Sequence, residues 1–347
     1  MSLLRFTPSS GSILPALGEN RAELNDLFED AVTNQLNDDN LLRALLPDLP
    51  MVGNPYGIRM RIGRNDSVGM QSEPADGTFS QTDANFGNQD RLRAAVLAQI
   101  VRVGIQISDY MMASASGAGG IDVMVEEIEG ATMDFRDLEE RQLFAISAPN
   151  ANISGESLNN FTGLRHIIQN SSPTPTDTDT LYGIDRTSYT VLFSNPQYGA
   201  VPGTPEAITK DKLDKAIRDV FEDGARGSLF ITKPEQLDNI NDLFSAGQRF
   251  MNEVEIEAGF VVQSYRGIPI VVSVNCSDTN GATLVNDAAG PGDVFLLDRR
   301  YIEKRVLKSP GLTSIAKDGP TEKMYLEAYE NLVAKKPNAH AAIYDLN

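Results

Sequence analysis

The chain has 347 residues, a formal net charge of −18, 41% hydrophobic and 22% charged residues, and a single cysteine. Its length exceeds the roughly 250–300 residues at which one hydrophobic core stops growing, so two intimately connected domains are expected. One cysteine excludes a disulfide framework and an all-cysteine metal site, and the acidic balance disfavours phosphate-backbone binding, which needs lysine and arginine to displace counterions.

No segment approaches the ~18 consecutive apolar residues of a membrane span, and the start, Met1-Ser-Leu-Leu-Arg5, lacks the blocks of a signal peptide. The expectation is a protein made in the cytosol with no membrane association. No lysine precedes Lys210, so arginine carries all the positive charge before it. Its planar fork grips carboxylates bidentately, which makes it the better interface cation.

In chain order, residues 1–18 read as an extended arm. Leu24, Leu27, Phe28, Ala31, Val32 and Leu36 then recur at helical spacing over Glu19–Leu36. A short helical piece runs to Leu46, and Pro47 and Pro50 close it. Ile58-Arg-Met-Arg-Ile62 alternates apolar and basic residues as a strand, with its mate predicted from Arg91 through Ile107. The polar segment between them, about 25 residues, is longer than a compact domain normally tolerates, so a projecting hairpin is expected.

After a break at Ser114–Gly120, residues 121–146 read as one long helix through Gly130. Ile121, Met124, Val125, Ile128, Phe135 and Leu138 lie near one face. Asp122, Glu126, Glu127, Asp134, Asp137 and Glu140 give it a solvated acidic side. Gly163–Gln169 is expected as a strand and Ser171–Thr180 as exposed loop. An alternating α/β pattern follows. Thr209 caps a helix ended by Gly224, Ser228–Thr232 is a strand, and Thr232-Lys-Pro-Glu235 has capping-box spacing before a second helix. Strands over Glu257–Val274 and Asp293–Leu297 flank a Gly/Asn-rich tip at 277–292. Met324–Val333 fits helix or strand; the Pro337-Asn338 turn and the apolar run after it favour a terminal β-hairpin.

Tyr182-Gly-Ile-Asp-Arg186, Tyr265-Arg-Gly-Ile-Pro-Ile270, Asp293-Val-Phe-Leu-Leu-Asp298 and Pro337-Asn-Ala-His-Ala341, in this order, resemble the major capsid proteins of tailed bacteriophages and tailed archaeal viruses. The resemblance is strongest from Gly163 to Leu346 and rests on element order before that. It implies an α+β protein with the Hong Kong ninety-seven-type capsid fold. The implied parts are an N-terminal arm and helix (1–50), an extended hairpin loop (51–110), a peripheral domain with a spine helix (111–180), an axial α/β domain (181–315) and return strands (316–347). It further implies a virion protein that self-assembles as hexamers and pentamers around packaged double-stranded DNA without reading its sequence. Portal, scaffolding and decoration proteins would be partners, and no cofactor, metal or catalysis is expected. An encapsulin-like nanocompartment shell shares the fold, and an α/β hydrolase or ligand-binding enzyme is the alternative of another class.

Arg59, Arg61, Arg64, Arg91, Arg93 and Arg102 form the arginine set expected on the hairpin. They are candidates for contact with carboxylates of a neighbouring copy, with Glu126, Glu127, Asp134 and Asp137 of the long helix as partners. Residues 58–107 contain no lysine, so the lysine–asparagine cross-link that some members of the resembled family form from this loop is chemically unavailable. His166 and His340 are the only histidines and read as packed residues. No Gly-x-Ser-x-Gly or His-Glu-x-x-His pattern occurs.

Overall fold

The computed structural model describes residues 41–63, 90–117, 123–144, 161–168, 180–186, 188–189, 192–198, 206–245, 252–255, 261–276, 292–317, 319–344 and 346. The expected arm, the helix at Glu19–Leu36, the segment between the hairpin strands, the loop before Thr180 and the 277–291 tip lie outside these residues.

The elements in chain order are α1 (Leu41–Leu45), β1 (Asp48–Pro50), β2 (Tyr56–Arg61), β3 (Arg91–Val96), β4 (Gln99–Ser108), α2 (Asp109–Gly117), α3 (Val123–Phe144) and α4 (Leu164–Ile167). There follow β5 (Thr180–Leu181), β6 (Ile184–Asp185), β7 (Asn195–Gln197), α5 (Lys210–Glu222), β8 (Leu229–Thr232), α6 (Pro234–Ser245), β9 (Asn252–Glu255), β10 (Val261–Tyr265) and β11 (Ile268–Val272). The chain closes with β12 (Val294–Leu297), β13 (Ile302–Ser314), β14 (Thr321–Ala334), a 3-10 turn (Pro337–Ala339) and β15 (Ala341–Ile343). Contacts divide the chain into two units, one made of 1–36, 102–134 and 311–326, the other of the remainder. Among the described residues no helix is long and apolar enough to cross a membrane.

The larger unit is built on a seven-stranded mixed sheet in the order β7-β15-β12-β8-β11-β10-β9. Its middle strands, Leu229-Phe-Ile-Thr232 and Val294-Phe-Leu-Leu297, are buried at every position, as strands covered on both faces must be. Helix α5 turns Leu213, Ala216 and Val220 inward at i, i+3 and i+7. They join Phe230, Ile270, Val294, Leu296 and Ile343 in one core, to which α6 adds Ile240. The expected cap and stop of α5 are present: Thr209 Oγ1 accepts the Lys212 N–H at 3.3 Å, and Gly224 takes φ +69°. The capping box before α6 is not formed as expected. Thr232 ends β8 and donates its hydroxyl to the Asp293 carbonyl, and the residue preceding the helix is Lys233.

The smaller unit packs Ile105, Ile107, Val123, Ala131 and Met324 together, with Met111, Met112, Met124 and Ile128 against them. Asp109 donates its backbone N–H to Pro320 O at 3.0 Å and accepts an ion pair from Lys317 at 2.6 Å. Elements β4, α3, β13 and β14 each run through a boundary between the units.

Five expectations are corrected. The mate of β2 is β3 alone; the ladder breaks at Leu97-Ala98, whose carbonyl and N–H are taken by Asn331 and Asn54, and β4 joins a separate sheet of order β1-β13-β14-β4. The break expected at Ser114–Gly120 is helical as far as Gly117. Gly163–Gln169 holds one helical turn, α4, instead of a strand. All four of its residues are buried, and a run buried all round carries no periodicity to separate the two. β14 is a strand as favoured, but β15 leaves it to pair between β7 and β12, so no terminal hairpin forms. Finally, Glu140 is fully buried instead of belonging to a solvated face.

Candidate assembly surface

Strands β2 and β3 pair antiparallel with Arg59 opposite Arg93 and Arg61 opposite Arg91. Period-two geometry sends Ile58, Met60, Ala94 and Val96 to the buried side and places all four arginines on the exposed one. Gly57 lies under the Arg93 guanidinium, where a Cβ would come 3.0 Å from Nε. Arg61 Nε donates to the Gly63 carbonyl at 3.1 Å. Like charges directly opposite across a ladder are destabilising. Among the described residues no carboxylate pairs with any of the four.

The root of this hairpin is fixed by a second, smaller one. β5 and β6 are joined by Tyr182-Gly183 with φ +49° and +80°, the two positive values of a type I′ turn. The Tyr182 carbonyl accepts from Ala95 N at 3.0 Å. Its hydroxyl donates to Leu332 O at 3.2 Å and accepts from Ala334 N at 2.8 Å. A non-glycine residue with positive φ is thus held by its own side chain. Arg186, the last residue of that motif, is buried and donates to His166 O.

The remaining sequence-predicted residues are placed differently. Arg102 lies on β4, over the Tyr325 ring at 4.4 Å, away from the hairpin ladder. Arg64 lies outside the described residues. On α3, Glu127 and Asp134 are exposed and Glu126 is half-buried. Asp137 is engaged within the chain by Arg141 at 2.6 Å and by the Asn275 amide at 3.2 Å.

A second set of charges, missed in the sequence, is internal. Lys304, on β13 and 2% exposed, holds Glu139 of α3 at 2.8 Å, Glu330 of β14 at 3.2 Å and Asp48 of β1 at 3.3 Å. Arg43 of α1 pairs with Glu139 as well. The neighbouring Glu140 accepts the Leu42 and Arg43 N–H groups at 3.2 and 2.7 Å, satisfying the first turn of α1, and the Ser273 hydroxyl at 3.1 Å. Burial and the adjacent Glu139 push the Glu330 carboxyl up to about 8. Glu139 is held below the ordinary value, because its bond with Glu330 and its pairing with Lys304 and Arg43 outweigh its burial. One carboxyl therefore keeps the proton and the other the charge. Further along, Arg165 donates from Nε to buried Asp293 at 2.6 Å. The signal for Glu139 was present: Ala131, Phe135, Glu139 and Leu143 form one buried i+4 row, so this glutamate continues the core stripe.

This arrangement has the chemistry of an architectural protein: charges interlock the elements inside, and a cationic strand face is left over outside. The same fold is found in viral and cellular shells. The structure matches the cyanophage A-1(L) capsid asymmetric unit at TM-score 0.69 and 14% identity, covering 93% of this chain and 97% of that one. It matches the capsid of the native GTA particle at TM-score 0.62 and 10% identity, over 98% and 100% of the two chains. The SrpI encapsulin of Synechococcus elongatus matches at TM-score 0.59 and 12% identity, over 94% of each chain. No curated protein matches by sequence. The class is thus the capsid shell proteins. A model of the SU10 major capsid protein matches residues 21–347, and the chain belongs to that family. It is a structural component of the virion shell, built from many copies, and its family is not enzymatic.

Proposed function

We propose that the chain assembles as hexamers and pentamers into an icosahedral shell around packaged double-stranded DNA, and that the arginine face of the β2–β3 hairpin is one of its inter-subunit contacts. The observation that carries this is the pair of like-charged cross-strand couples, Arg59 with Arg93 and Arg61 with Arg91. They cost the isolated subunit stability, and a neighbour's carboxylates would reverse the sign. Glu126, Glu127 and Asp134 of α3 are the partners this reading selects. Asp137 is the weakest of the four acidic candidates because Arg141 and Asn275 already hold it. Arg64 belongs to the same segment, whereas Arg102 serves its own sheet beside Tyr325.

In this reading residues 1–50 act as an arm and helix, 51–110 as the extended loop, 111–180 as the peripheral domain around the spine helix α3, 181–315 as the axial domain and 316–347 as the return strands of the peripheral domain. A net charge of −18 keeps the inner wall from adhering to DNA. Portal, scaffolding and decoration proteins are separate chains, and the subunit is made in the host cytoplasm before it assembles. Likeness to an encapsulin supports one further reading, a cellular nanocompartment.

Negative-stain microscopy and sedimentation of the purified protein, across a range of salt, test the proposal. Closed shells or five- and six-membered rings are expected, weakening as salt screens the arginine contacts. A monomer under every condition, alone and with its genomic neighbours, overturns it; shells that enclose a cargo enzyme instead of DNA select the nanocompartment.

A further inference from the structure

On the larger unit a cleft of about 670 Å³ opens between the end of α1 and the turn joining β12 to β13, with Leu45, Arg226, Ser228, Asp298, Arg299 and Arg300 in its wall. Arg226, Arg299 and Arg300 line it together with a single carboxylate, Asp298, in a chain whose overall charge is −18. The carboxylate is already engaged. Asp298 is buried and accepts from Arg226 N at 3.1 Å and from Arg300 N, Nε and Nη2 at 3.2, 2.9 and 2.5 Å. Arg299 donates to Leu45 O at 3.0 Å. The Arg226 side chain meets no carboxylate among the described residues, although its backbone is firmly placed. Next to it, Gly227 runs so close to Leu296 that a Cβ would fall 2.3 Å from Cδ1, and Ser228 N donates to Leu297 O at 2.8 Å. The wall of the cleft is thus fixed and carries one arginine, Arg226, that meets no carboxylate among the described residues.

The complementary charge lies at the far end of the same strand. Ser228 precedes β8 and Pro234 opens α6 just beyond it, so about five extended residues, on the order of 16 Å, separate cleft from helix. Helix α6 exposes Glu235, Asp238 and Asp242 at i, i+3 and i+7, one acidic edge. It is held against the sheet by Ile240 in the core. None of its residues is in the wall of the cleft of its own chain.

We propose that the cleft receives the acidic edge of α6 from a second copy, with Asp238 against Arg226. Because the two surfaces are different patches, the contact is heterologous. Repeated around an axis it closes a ring. The inference rests on the capsid reading and names a contact within a capsomer, separate from the hairpin face.

Charge reversal tests it. Arg226→Glu and Asp238→Arg are each expected to abolish rings, and the double variant Arg226→Glu/Asp238→Arg to restore them. Neither single variant can match its own kind, but in an equimolar mixture every junction joins opposite charges, the native pair at one and the exchanged pair at the next, so even-membered rings of alternating copies are expected. Rings from either single variant at the wild-type level, or a double variant as dispersed as the singles, overturn the contact. So does a mixture that stays monomeric while circular dichroism shows both variants folded. If the wild type forms neither rings nor shells, the capsid reading fails and this contact with it; if it forms them and the charge reversals leave them unchanged, this contact alone fails.

Discussion

The buried cations Arg165 and Lys304 and the exposed arginines of β2 and β3 belong to the same unit but have opposite relations to it. Arg165 and Lys304 are enclosed by carboxylates that the chain itself supplies from distant elements, Glu139 lying 165 residues from Lys304. Arg59, Arg61, Arg91 and Arg93 face solvent and oppose one another across a ladder. The first set adds no net attraction for other molecules and everything to the order of the core. The second adds little to the fold and leaves an unmet electrostatic demand. What separates them is where the counter-charge resides.

The sharpest way to break the comparison is to remove one buried partner. Asp293→Ala leaves the Arg165 guanidinium uncompensated and is expected to cost ~3–5 kcal/mol in chemical denaturation of the subunit. Replacing both, Arg165→Met with Asp293→Leu, should cost much less, because the loss comes from the stranded charge. Equal losses would show that packing, not charge, sets the value.

A smaller effect comes from the Lys304 cluster, where charges from four elements, Arg43, Asp48, Glu139 and Lys304, face Glu330 or its partners. The folded Glu330 carboxyl titrates at about 8 against an ordinary 4.5. The folded state therefore holds a proton the unfolded chain has lost, and this contribution is complete below pH 4.5, declines across 4.5–8 and is gone above that. One proton corresponds to a slope of ~1.4 kcal/mol per pH unit. His166 and His340, held by burial at about 3 and about 4, act in the other direction, their contribution present above 6.5 and lost as pH falls towards those values. Stability measured against pH should lose its alkaline decline in Glu330→Gln and keep its acidic one. An unchanged alkaline limb refutes the assignment of the proton.

The smallest expected effect is at the exposed face. Arg59→Gln with Arg93→Gln should leave subunit stability within ~0.5 kcal/mol of the wild type, or raise it slightly, since a like-charge couple is removed. Particle yield by sedimentation should fall. A large loss of subunit stability would place these arginines with the buried set.

Legibility in the sequence follows the same division. The α5 cap at Thr209, the Gly224 stop, the largely apolar β8 and β12 and the length of α3 through Gly130 were readable, because local chemistry decides each of them. The four hairpin arginines were readable as an exposed row because strand alternation is local too. What failed depended on distant partners. Glu140 reads as solvated until Leu42, Arg43 and Ser273 are brought to it, and β15 reads as the mate of β14 until β7 and β12 offer it two ladders. Arg102 was grouped with the hairpin because nothing near residue 97 announces that the ladder stops there.

The passage of β4, α3, β13 and β14 through the boundaries between the two units has a consequence for anyone who cuts this gene. The smaller unit consists of three separated stretches of chain, so no single fragment encodes it, and its boundaries in β4, α3, β13 and β14 fall inside a helix or strand instead of a loop. Split-protein fusions divided at those boundaries would sever hydrogen-bonded ladders, and their halves should report solubility only when co-expressed.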